Sequence, residues 1–270
     1  VPVWQFVAAH EPPETPAALQ RVWQVMTAAV QRGLTAHGPL PGGLQLARRA
    51  AALLAHANTR VGLQRDLNLL AAYAVAAAEE NAAGGEIVTA PTCGACGVVP
   101  AVLYYFHRHH GVDDERMLHA LMTAGVFGSS VAARASISGS EVGCQGEIGV
   151  AAAMAAAAAT QLLGGTNAQV EYAAEMALEH SLGLTCDPVL GLVQVPCIER
   201  NGFAAMKALS CASYALATDG AHLVRFDDVV DAMYATGKDL QAKYRETALG
   251  GLAAIMRRRI HSPDEPGQPA

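Results

Sequence analysis

Apolar residues recur along this chain at intervals of three and four, and the runs are broken by Gly and Pro rather than by alternation of polar and apolar positions. From 17 to about 31, Leu19, Val22, Val25, Met26 and Val30 share one helical face, and Gly33 ends the run. A Gly/Pro turn fills 38–43. Helices are predicted next at 44–56 and 67–83, the second closing in Glu79, Glu80 and Asn81 before the Gly84-Gly85 stop. Residues 86–89 are the one stretch with modest strand character. Further helices are expected at 98–109, 115–125, 144–163, 167–182, 201–217, 226–236 and 239–248. Residues 1–16, with Pro12, Pro13 and Pro16, read as an arm or linker; 17–261 read as one helical domain. Residues 262–270, with three further prolines, read as a disordered tail. The fold class expected is all-α, a single compact Ala-rich helical domain with loops at helix ends.

Composition strengthens that reading. The chain has 270 residues, 52% hydrophobic but only 5% aromatic, and about 55 of them are alanine, roughly a fifth, well above ordinary usage. Alanine favours helix and lets helices approach closely. With 16% charged residues and abundant apolar surface, intrinsic disorder is excluded. A net charge of −6 offers no basic field for nucleic acid. The most apolar run, 148–160, is about 13 residues against the roughly 20 a membrane span needs, so it reads as a buried helix. The start shows no charged segment followed by an apolar one, so no secretory signal is visible and a cytoplasmic location is expected. It also lacks a methionine, which suggests a processed or partial piece of a longer protein.

The chemistry rests with six cysteines. In a chain of this size without a signal, metal binding or catalysis is favoured over disulfides. Cys144 sits at the mouth of the Ala-rich helix, where N–H groups and the helix dipole stabilise a thiolate. Cys186 lies just past a helix end, and Cys197 follows Pro196 and immediately precedes Ile198-Glu199-Arg200-Asn201. Three thiolates converging there would suit a metal site with one open position. The competing reading is three small buried hydrophobes. Cys93 and Cys96 form a CxxC in a small-residue loop (90–97) whose free N–H groups precede a helix, a setting suited to a carboxylate. That pair reads equally as a redox couple, as accessory ligands or as two reduced thiols. Cys211 lies inside a predicted helix and reads as core. His107, His109, His110 and His119 straddle a helix end and read as surface rather than as a metal cluster. Glu199 and Arg200 read as a surface pair, and the Glu79-Glu80 pair as either pocket lining or an exposed helix end.

Two segments then identify a relationship. GLTCDPVLGLVQVPCIERN at 183–201 and ASISGSEVGCQGEIG at 135–149 closely resemble the signatures of the iron–sulfur-dependent L-serine dehydratases. EENAAGG at 79–85, APT at 90–92, LPGGL at 40–44 and ETALGGL at 246–252 extend the resemblance to about residues 17–255. The matching part is the family's α, or catalytic, domain. The resemblance implies a lyase of serine degradation, feeding gluconeogenesis, that converts L-serine to pyruvate and ammonia. It implies a [4Fe–4S] cluster on Cys144, Cys186 and Cys197, whose fourth iron acts as a Lewis acid on the substrate hydroxyl. Thr92, Gly94, Asn81 and Ser138 are then candidates for substrate binding, while no general base is assigned. Pyridoxal phosphate is not expected, because Lys207, Lys238 and Lys243 are the only lysines and none lies in a Gly-rich phosphate loop. Two departures stand out. Members of the family commonly carry Asn and Ala where this chain has Cys93 and Cys96. The smaller α/β domain, fused or as a separate β chain, is absent here. A homodimer is also expected. The alternatives are the related iron–sulfur cysteine desulfidase chemistry, or a non-catalytic cluster- or zinc-binding subunit.

Overall fold

In a computed structural model, which describes residues 1–261, the chain is built from helices; no strand occurs among the described residues. In order these are α1 (Val3–His10), α2 (Thr15–Thr35), α3 (Ala50–Ala57), α4 (Gly62–Ala82), α5 (Val98–His110), α6 (Asp114–Arg134), α7 (Gly139–Val142), α8 (Val150–Leu162), α9 (Asn167–Glu179), α10 (Cys197–Leu216), α11 (Phe226–Asp239) and α12 (Gly251–His261). The all-α expectation holds. The helix ends obey local chemistry. Asp113 caps α6 by accepting from the Arg116 N–H at 2.9 Å. Thr166 and Gln169 form a capping box at α9. Gly111, in the left-handed region at φ 65°, stops α5.

At the centre lies α8, buried on every side except at Met154 and Gln161. It packs against α5, α6, α9 and α10, while α4 packs against α2, α3, α5 and α10. A helix apolar all round belongs in a core, and its alanines let four neighbours close in. Glycine does the same elsewhere: a Cβ at Gly128 would meet the Met154 sulfur at 2.8 Å.

The structure corrects several expected elements. The 44–56 helix shrinks to α3, because the Glu79 carboxylate accepts the Arg49 N–H (2.6 Å) and so fixes where that helix begins. Residues 86–89 form no strand. Residues 239–248 are not a helix. They contain one 3-10 turn, Ala242–Tyr244, and then run alongside Cys186 as an irregular strap, with Glu246 and Ala248 in the left-handed region. Residues 144–163 begin with a π turn, Gln145–Gly149, before α8. Helix α6 runs nine residues beyond the expected end at 125. The stretch 1–16, read as an arm or linker, holds α1, whose Trp4 stacks on His119 of α6 at 3.6 Å between ring centroids. The proposed tail, 262–270, lies outside the described residues.

Candidate metal centre

The three cysteines singled out above come from three irregular junctions. Cys144 precedes the π turn, Cys186 sits in the loop after α9, and Cys197 is the first residue of α10. All three are buried. The Sγ atoms of Cys144 and Cys186 and a carboxylate oxygen of Glu147 lie within 4.8 Å of one another. Glu147 Oε2 accepts from Cys144 Sγ at 3.8 Å and from Cys186 Sγ at 3.6 Å, and Oε1 accepts from the Thr92 hydroxyl at 2.7 Å. Cys197 stands outside that closest group, yet its thiol feels the charges of Cys144 and Glu147.

Electrostatics follow from this crowding. A hydrogen bond from Cys186 holds the Cys144 thiol below its ordinary range, with Arg200 adding to the effect; the same bond, then burial, raises Cys186. Burial pushes Cys197 up to about 12. Soft sulfur donors beside a carboxylate, in a buried setting, suit a thiophilic metal or an iron–sulfur cluster.

Surrounding residues hold this geometry. The amide of Asn201, fully buried, accepts the Gly97 N–H (2.8 Å) and donates to the carbonyls of Gly94 and Cys197 (2.8 Å each), tying the 93–97 turn to the start of α10. Gln145 donates to the Met233 carbonyl and accepts the Gly183 N–H, so α11 and the Cys186 loop share one anchor. The strap closes the far side: Cys186 N–H donates to the Tyr244 carbonyl at 2.8 Å, and Glu246 N–H to the Cys186 carbonyl at 2.6 Å. Arg200 donates to the Thr185 carbonyl at 2.7 Å. Gly139 leaves room, since a Cβ there would fall 2.5 Å from Glu147 Oε2 and 3.0 Å from Cys186 Sγ.

Of the candidate substrate residues, Thr92 touches Glu147 directly, and Gly94 packs beside it, where a Cβ would stand 3.2 Å from Oε1. The turn's own bonds use the N–H groups of Ala95 and Cys96; those of Cys93 and Gly94 take no part in them. Ser138 neighbours Gly139, and its hydroxyl is shared with Ser140 at 2.7 Å. Asn81 is half-buried at the end of α4 without a side-chain hydrogen bond among the described residues. Cys93 is exposed, whereas Cys96 is buried with its Sγ 3.7 Å from the Ala77 carbonyl, and both are free thiols. Cys211 is in the core.

Three expectations are corrected. Glu79 and Glu80 are not an exposed helix end: both are buried, Glu79 capping α3 and Glu80 pairing with Arg32 and Arg48 at 3.0 Å each. Glu199 pairs with Arg49 at 2.6 Å, not with Arg200. His109 is engaged by Tyr73 at 2.8 Å and is half-buried rather than surface. Glu147, Asn201 and Gln145 received no role from the sequence. Glu147 alone carried a signal, three residues after Cys144 at a helix start.

Residues 5–253 match the family described as "Serine dehydratase alpha chain". The L-serine dehydratase of Streptomyces coelicolor is 51% identical over 243 residues, 87% of this chain and 52% of the relative. L-serine dehydratase 1 of Escherichia coli is 50% identical over 252 residues, 92% of this chain and 56% of the relative. The L-serine dehydratase of Mycobacterium tuberculosis is 51% identical over 250 residues, 89% and 54% respectively. The chain thus spans about half the length of the curated relatives it matches. With the family's description matched over nearly its whole length, the chain belongs to the serine dehydratase alpha chain family.

Proposed function

We propose that this chain is the catalytic part of a [4Fe–4S]-dependent L-serine dehydratase, acting with a smaller β domain carried in the same or a separate chain. The observation that carries the reading is the burial of Cys144 and Cys186 around the Glu147 carboxylate, with Cys197 near enough to feel their charge. The donor set fits the group. Cys144, Cys186 and Cys197 would hold the cluster, which when bound supplies Lewis acidity toward the substrate hydroxyl.

The chain's own residues do the rest. The N–H groups of Cys93 and Gly94, which the turn's own bonds leave unused, receive the substrate carboxylate at the head of the turn leading into α5. Ser138, beside Gly139, and Asn81, at the end of α4, would complete the substrate site. Thr92 fixes Glu147 by its 2.7 Å bond, so that one carboxylate oxygen is oriented; Glu147 takes the Cα proton at that carboxylate. The Cα–H electron pair forms the Cα–Cβ double bond as the Cβ–O bond breaks, the departing hydroxide takes up a proton to leave as water, and the aminoacrylate tautomerises to the imine and takes up water to give pyruvate and ammonia.

Anaerobically purified protein is expected to contain iron and acid-labile sulfide and to release pyruvate from L-serine in preference to sulfide from L-cysteine. Cys197→Ser is expected to lower iron content and abolish turnover. Stoichiometric zinc without sulfide, a preference for cysteine, or full iron content in Cys197→Ser would overturn the assignment.

A further inference from the structure

Away from the cysteines, α9, α10 and the loop before α11 border an open cleft of about 550 Å³. Its wall carries charges that the reaction above does not use. Lys207, on α10, donates from Nζ to Ser181 Oγ and has no carboxylate within ion-pair distance among the described residues. Burial holds its ammonium below the ordinary lysine range. On the facing helix, Glu175 is 3% exposed and makes no hydrogen bond and no ion pair among the described residues. The Cys211 thiol feels the charges of both residues, and the two form no ion pair with one another.

An unpaired ammonium and an unpaired carboxylate in such a setting are each costly. Held apart, they do not relieve one another. A simple anion would satisfy Lys207 but meet Glu175 and Glu179 as like charges, and a simple amine would leave Lys207 unpaired. Of the neighbouring groups, His222 Nε2 stands 2.6 Å from a Glu171 carboxylate oxygen, and His180 Nδ1 stands 3.6 Å from one of Glu179. The rest of the wall is apolar. Tyr172 stacks on His222 at 4.3 Å and meets Tyr214 edge-on at 6.2 Å, and Leu223 at the rim is 95% exposed.

We propose that this cleft binds a small zwitterionic amino acid with an apolar side chain. Its carboxylate pairs with Lys207, its ammonium with Glu175, and its side chain lies against Tyr172, Tyr214 and Leu223. The site is separate from the cysteine cluster.

The probes are L-phenylalanine and L-methionine, with hydrocinnamate and phenethylamine as analogues that each lack one charge. Binding to the wild-type protein is read by calorimetry. The amino acids are expected to bind at millimolar concentration or below, and each analogue about tenfold more weakly or worse. Lys207→Met and Glu175→Gln are each expected to lose about tenfold or more. Ser210→Trp, at an exposed position on the cleft wall, fills the space and is expected to abolish binding with the thermal midpoint preserved, which separates loss of the site from unfolding. Equal binding of the one-charge analogues, binding that survives Ser210→Trp, or no amino-acid binding at millimolar concentration overturns the proposal.

Discussion

Glu147 lies between two thiols and a hydroxyl, so the space around its carboxylate matters as much as its partners. Gly139 contributes that space by having no Cβ; an added methyl would sit 2.5 Å from Oε2 and 3.0 Å from Cys186 Sγ. Gly139→Ala is therefore expected to displace both groups, lowering stability by about 1–3 kcal/mol as overpacking does and reducing metal content. The checks are the thermal midpoint and the iron-to-protein ratio; wild-type values for both would show that the carboxylate moves without cost. Asn201 acts at the same scale, its one amide holding three backbone groups from two segments. The three cysteines were legible in the sequence because thiol chemistry is carried by residue type. Glu147 and Asn201 were not assigned, because what they do depends on partners 55 and 104 residues away in the chain.

Among the helices, those with a clear apolar period were legible from sequence alone, with ends set by Gly, Asp and Thr caps. The misreadings share one cause, in that tertiary partners override local preference. Residues 239–248 have helical composition, but Cys186 uses the backbone of Tyr244 and Glu246 for pairing. Helix α3 begins where Glu79 meets its N–H groups, not where the Leu/Ala run begins. Helix α9 carries a further expectation. Burial first, then Glu179, push the Glu175 carboxyl up to about 7; Glu171 adds to this, and His222 and His180 oppose it. Lys207 and Cys211 face it from α10. A carboxyl raised in the folded state binds protons on folding, so its stabilising contribution is complete below about 4.5 and is lost as pH climbs through about 7. Glu175→Gln carries no charge and gives up no hydrogen bond. Relative to wild type it is expected to gain about 1–2 kcal/mol at pH 8, allowing for solvent screening in an open cleft, and far less at pH 5. Thermal midpoints of both proteins at the two pH values test this; a difference independent of pH would rule it out.

The molecule as a whole is arranged around α8. Its alanines are almost all at zero exposure, with α5, α6, α9 and α10 against them. The same helix is continuous with the π turn that carries Glu147, so the packing of the core and the placing of the carboxylate are one structural matter. Such π turns recur at functional sites because they re-aim a side chain without ending the helix. Alanine richness was therefore the most informative feature of the composition, since larger side chains would hold the neighbouring helices apart. Ala156, fully buried near the middle of α8, tests the point. Ala156→Leu adds three carbons where no space exists and is expected to cost about 1–3 kcal/mol or more. Ala133→Leu, on an exposed face of α6, is expected to change stability by no more than about 0.5 kcal/mol. Because α8 cannot shift without carrying its π turn, Ala156→Leu is also expected to lose iron, while Ala133→Leu keeps it. Denaturant midpoints and iron content measured on both proteins decide the matter: a destabilised Ala156→Leu that retains full iron content would show that the core and the candidate metal centre are independent.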